Sequence, residues 1–142
     1  MGFFNFAKVC LYSEVSGVVT LHGKPVAGAE LIRKAWWPDE KLHTDNTTTD
    51  AQGHFHFAPM FAFSLLRQYM PMETVIGQQM FILNQGKETL AWHGFKSDFD
   101  LRSEFEDGKP RRLTCELTEE PIMKGEKFGL RYGHGVKTMC KW

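Results

Sequence analysis

Apolar and polar residues alternate along this chain in short runs separated by turn formers, a period of two that predicts strands. The first run covers residues 15–21. His22-Gly23-Lys24-Pro25 follows, where Gly23 supplies the positive φ of a tight turn and Pro25, lacking an N–H, ends the ladder. A second run covers residues 26–36, in which Ala29, Leu31, Arg33 and Ala35 alternate with Glu30, Ile32, Lys34 and Trp36. The two runs predict a hairpin, and the charges of Arg33 and Lys34 suit an edge strand. Trp37-Pro38-Asp39-Glu40 then breaks the pattern, and residues 42–46 read as a polar loop before a third strand at Thr47, Thr48 and Thr49. Asp50-Ala51-Gln52-Gly53 turns the chain into a fourth strand, residues 54–57. There a period of two sends Phe55 and Phe57 to the core and His54 and His56 outward.

Residues 58–77 are apolar without clean alternation. Leu65, Leu66 and Tyr69 share one helical face, so a short helix is predicted over residues 63–69, with Pro71 ending it. Residues 78–83 and 88–93 form a second hairpin about Asn84-Gln85-Gly86-Lys87. Residues 96–110 are rich in charge and turn formers and read as a surface loop, and a seventh strand covers residues 111–117. The remainder has no consistent period and reads as an irregular tail. The expectation is one domain, residues 1–142, with its sandwich over 15–118, a docking segment over 1–14 and a tail over 119–142.

Composition narrows the partners. Seventeen Lys plus Arg balance seventeen Asp plus Glu, so no global field draws in nucleic acid or an anionic membrane surface. The N-terminal stretch has no basic region ahead of its apolar residues, as an export signal requires, and no apolar run reaches the ~18 residues of a membrane span. A cytoplasmic, soluble protein is the expectation. Cys10, Cys115 and Cys140 are odd in number and widely spaced. They read as buried thiols, the alternative being a bridge between Cys10 and Cys115.

The string GxVxxxGKPVAGAxL followed by TTTDAxGxFxF resembles the carboxypeptidase regulatory-like, transthyretin-like family of β-sandwich domains. The likeness rests on Gly23, Pro25, Gly28, Ala29, Thr49, Asp50, Gly53 and Phe55. It implies an all-β, antiparallel, seven-stranded Greek-key sandwich serving as an accessory or protein-binding module. With VCLYS before the motif and RRLTCELTEEP near the end, the layout is also similar to small bacterial single-domain proteins.

Candidate chemistry is sparse. His54 and His56 share a strand face as zinc ligands do on β-scaffolds, but no third ligand accompanies them. The transthyretin-like group includes 5-hydroxyisourate hydrolase, whose C-terminal Tyr-Arg-Gly-Ser is not matched by Arg131-Tyr132-Gly133-His134. Gly23-Lys24-Pro25 and Gly108-Lys109-Pro110 are turns, since proline stands where a phosphate loop needs an N–H. The expectation is therefore a non-enzymatic protein with no catalytic residue, metal or cofactor. Its binding residues are Trp36, Trp37, Phe61 and Phe63, because adjacent strand residues point opposite ways and leave one indole outside the core. A protein partner is expected, most concretely a toxin or effector covered by an immunity or adaptor protein. The runner-up is a carbohydrate module stacking sugars on Trp36, Trp37 and Trp92, and a transthyretin-like hydrolase is the third.

Overall fold

The computed structural model describes residues 8–36, 42–63, 76–96, 111–124 and 136–142. A six-stranded sheet runs in the order β11 (Ile122–Lys124), β12 (Val136–Thr138), β9 (Lys87–Lys96), β8 (Ile76–Asn84), β4 (Glu30–Trp36), β5 (His43–Thr48). A five-stranded sheet centres on β2 (Val15–Leu21), with β10 (Arg111–Glu116) and β13 (Cys140–Lys141) to one side and β3 (Lys24–Pro25) and β6 (His54–Phe57) to the other. A two-stranded ribbon pairs β1 (Lys8–Tyr12) with β7 (Met60–Phe63). All pairings are antiparallel except that of β2 with β10.

The alternation seen in the sequence decides which side of each strand is buried. In β4, Leu31, Arg33 and Ala35 are fully enclosed while Ile32, Lys34 and Trp36 are half-buried on the other face. Ile76, Met80, Ile82 and Trp92 add to that inner face. Val15, Val19, Phe55, Phe57 and Leu113 face them from the five-stranded sheet, and Val9, Leu11 and Tyr12 of β1 join the same cluster. One continuous apolar core between layers makes the fold all-β and sandwich-like.

Several expectations need correction. Among the described residues there are thirteen strands rather than seven, and no helix. Of the helix expected over residues 63–69, Phe63 ends β7 and the rest lies outside the described residues. The tail expected to be irregular contains β11, β12 and β13. The first turn signature closes a hairpin, but of β2 with the two-residue β3 rather than with β4, and the second leads the chain from sheet to sheet. The ladder after Gly23 extends only over Thr20↔Pro25 and Leu21↔Lys24, and the chain then crosses to β4. Thr49 fixes that crossing, its Oγ1 accepting from the Ala29 N–H at 2.9 Å and donating to the Val26 carbonyl at 2.7 Å. Asp50-Ala51-Gln52-Gly53 returns the chain from β5 to β6, which pairs with β2. The expected polar loop at residues 42–46 is largely strand, since β5 begins at His43.

Nor is β4 an edge. It lies between β5 and β8, and Arg33 points inward with no exposed surface. Its guanidinium makes four hydrogen bonds: Nε and Nη2 donate to both carboxylate oxygens of Asp45 at 2.9 and 2.5 Å, Nη1 to the Ser13 carbonyl at 2.9 Å, and Nη2 to the Ala58 carbonyl at 2.6 Å. The rings of Tyr12 and Phe57 lie 4.6 and 4.3 Å from its central carbon. A buried cation is tolerable only when paired and hydrogen-bonded. It ties β4 and β5 to the segments that follow β1 and β6.

A carboxylate performs the corresponding task at the end of β10. Glu116 accepts from the Gly23 N–H at 2.6 Å, Thr20 Oγ1 at 3.1 Å, the His22 N–H at 3.1 Å, and both the N–H and Oγ1 of Thr118 at 2.9 and 2.8 Å. The Gly23 and Thr118 amides lead in holding its pKa down to about 2 against burial, which opposes them. The β2–β3 turn, including His22 at φ 53°, is thereby fastened to a strand almost a hundred residues away in sequence.

The cysteine expectations change as well. Cys115 is bonded to Cys140, not to Cys10. Cys10 stands opposite Phe61 in the β1–β7 ribbon, whereas Cys115 and Cys140 are direct partners across β10 and β13.

Candidate binding face

Strand register builds an apolar stripe on the outer face of the six-stranded sheet, the face turned away from the core. Trp36, Gly77 and Phe95 are successive partners across β4, β8 and β9. In the next row outward on the same face stand Lys34, Gln79 and His93, then Ile32, Phe81 and Leu90. Phe95 is 40% exposed, and Trp36, Ile32, Phe81 and Leu90 are half-buried.

Gly77 is the reason Trp36 lies down on the sheet. A Cβ at that position would meet the indole Cε2 at 2.1 Å and Nε1 at 2.5 Å, so any larger residue displaces the ring. His93 packs 6.4 Å from Trp36 and 5.5 Å from Phe95, ring centre to ring centre, and its Nδ1 is 3.0 Å from Gln79 Nε2. The Lys34 ammonium lies 5.3 Å from the centre of Phe81. Trp36 and Phe95 are thus set by neighbouring rings and backbone, which lowers the entropy lost when a partner covers them.

The expected binding residues fare unequally. Trp36 is central to this face. Phe61, 38% exposed, belongs instead to the β1–β7 ribbon. Trp37 lies outside the described residues, as does the side chain of Phe63. Trp92, expected to serve a sugar, is 3% exposed and faces the core. Phe95, Phe81, Leu90 and Ile32 were not singled out from sequence. The available signal was Gly77 within an otherwise bulky strand, but a glycine reveals a close approach only once its cross-strand partners are known.

As expected, His54 and His56 are exposed on β6 while Phe55 and Phe57 are buried. His54 Nδ1 is 3.9 Å from Asp50 Oδ2. Among the described residues no group of three His, Cys, Asp or Glu side chains is placed to hold a metal. A cleft of about 270 Å³ opens beside the β8–β9 turn, lined by Leu21, Asn84, Gln85, Lys87, Thr89 and Leu117. No helix among the described residues is long and apolar enough to cross a membrane.

A family model described as Domain of unknown function (DUF6795) matches residues 15–120, from the first strand of the five-stranded sheet to the turn after β10. The chain belongs to the DUF6795 family. The matched DUF6795 region contains the whole stripe from Trp36 to Phe95 and both side-chain ties, Arg33–Asp45 and Glu116 with the β2–β3 turn. No curated protein and no solved structure matches the chain.

Proposed function

We propose that this DUF6795 protein is a non-enzymatic protein-binding sandwich that docks its partner on the outer face of the six-stranded sheet. The carrying observation is the Trp36–Gly77–Phe95 row, an indole laid flat over a glycine next to a 40% exposed phenyl ring. A second apolar row of Ile32, Phe81 and Leu90 lies beyond the Lys34–Gln79–His93 row on the same face, and Glu30, Glu88 and Lys137 supply charge around them. Aromatic anchors within a charged rim are the anatomy of a protein interface. The sugar-stacking alternative loses one of its three indoles, because Trp92 faces the core. The most concrete version is an adaptor or immunity protein that covers a toxin or effector, and its kinship is with transthyretin-like Greek-key sandwiches.

Co-purification with the product of a neighbouring gene, followed by calorimetric titration, tests the reading. Trp36→Ala and Phe95→Ala should each weaken binding ~30-fold or more, the size of a truncated hot spot. His56→Ala, on the other sheet, should leave the affinity unchanged. A bound partner that ignores both aromatic substitutions refutes this face.

A further inference from the structure

Residues 136–142 fasten the two sheets together. β12 joins the six-stranded sheet through Lys137↔His93 and Thr138↔Trp92, and the chain then reaches the five-stranded sheet through Cys115↔Cys140 and Thr114↔Lys141. Thr138, Met139 and Cys140 are buried at the crossing. Thr138 Oγ1 donates to the Ala91 carbonyl at 2.6 Å and accepts from the Cys140 N–H at 3.0 Å, and Trp142 packs 5.7 Å from Trp92.

The non-covalent hold is short at both ends. Two residue pairs join β12 to β9 and two join β13 to β10, and strands this brief are marginal unaided. The Lys141–Glu119 ion pair, 3.8 Å apart and largely exposed, adds little in water. The covalent tie is the Cys115–Cys140 bridge, which closes a sequence separation of 25 residues. By contrast, the β4–β8 and β8–β9 ladders run the length of their strands without passing through this segment.

We propose that Cys115–Cys140 is a redox-controlled clasp. With the bond formed, residues 136–142 span the two sheets. Reduction releases them and bares the β9 edge of one sheet and the β10 edge of the other, while both sheets otherwise stay folded. A dithiol supplies the two electrons and two protons: the S–S bond breaks, Cys115 and Cys140 become thiols, and the reductant becomes its own disulfide. Both cysteines are fully buried, so attack follows the lifting of β13 rather than global unfolding. The clasp is closed in oxidising surroundings and open where thiol reductants prevail. The bared edges carry backbone groups able to accept an added strand.

Hydrogen exchange on the intact chain, with and without dithiothreitol, tests this. Thiol titration in denaturant should find one thiol, Cys10, before reduction and three afterwards. Reduction should cost residues 138–142, and the amides of β9 and β10 facing them, ~10-fold or more in protection, while β4 and β8 keep theirs. A Cys115→Ser/Cys140→Ser double variant should reproduce the open pattern without reductant. Loss of protection throughout both sheets would make the bridge a strut of the whole fold. No loss at residues 138–142 would show that packing alone holds them. Either result overturns the clasp.

Discussion

Replacing Glu116 with Gln should destabilise the protein by an amount that depends on pH in a defined direction. In the fold the carboxylate takes five hydrogen bonds from Gly23, His22, Thr20 and Thr118, and its pKa falls from 4.5 to about 2. A gap of that size corresponds to ~3 kcal/mol at most, which water reaching this partly exposed site reduces to about 1–2 kcal/mol. The folded-state pKa is the lower one, so the ionised form stabilises the fold. That contribution is complete above pH 4.5 and is lost as pH falls through 2. Roughly 40% of it should remain at pH 3. Urea denaturation of wild type and Glu116→Gln at pH 7 and pH 3 isolates this group, because all other carboxylates titrate alike in both proteins. The difference in stability should be about 1–2 kcal/mol at pH 7 and less than half of that at pH 3. An equal difference at the two pH values, or none at pH 7, refutes the reasoning.

Three further outcomes are expected. Arg33→Ala should cost about 3–5 kcal/mol in chemical denaturation, since it removes the cation between Asp45 and the Ser13 and Ala58 carbonyls and leaves a void between two rings. Phe57→Ala should cost a similar ~3–5 kcal/mol and His56→Ala under ~0.5 kcal/mol, and equal midpoints for the two variants would sink the assigned faces of β6. Gly77→Ala should shift tryptophan emission and weaken the partner as Trp36→Ala does, because the added methyl takes the space of the indole. Unchanged emission would show that the ring does not lie there.

Much of the fold was legible because it rests on local alternation. The faces of β6 follow from a period of two and the β8–β9 hairpin from an Asn-Gln-Gly turn, both contained in neighbouring residues, whereas both faces of β4 read as mixed. What was not legible is which sheet each strand joins. The Gly23 turn closes a hairpin of only two residue pairs and the Gly53 turn closes none, and Thr49 and the pairing of β6 with β2 send the chain between layers. Arg33 read as an edge charge because its carboxylate partner, twelve residues on, lay in what read as a loop. Cys115 and Cys140 meet only through the placement of β13, and β13 is too short to carry a period. Trp36 was visible as a candidate anchor, whereas Phe95 required the β4–β8–β9 register.

The parallel pairing of β2 with β10 bears on how the protein is made. β2 contacts β10 from Val15↔Arg111 to Thr20↔Glu116, so closely that a Cβ on Gly17 would come within 2.2 Å of the Leu113 carbonyl oxygen. The partners in this ladder lie 96 residues apart, as Thr20 and Glu116 do. At ~5–20 residues per second, a nascent β2 waits about 5–20 s for β10 to be synthesised. Hairpins such as β8–β9 form in microseconds by comparison. Over that interval one side of β2 has no β10 to pair with, and its backbone groups are available to any extended segment nearby. Chains whose synthesis stalls before residue 111 should therefore aggregate more readily than those that reach residue 116, because completion of β10 is the step that covers the centre of the five-stranded sheet.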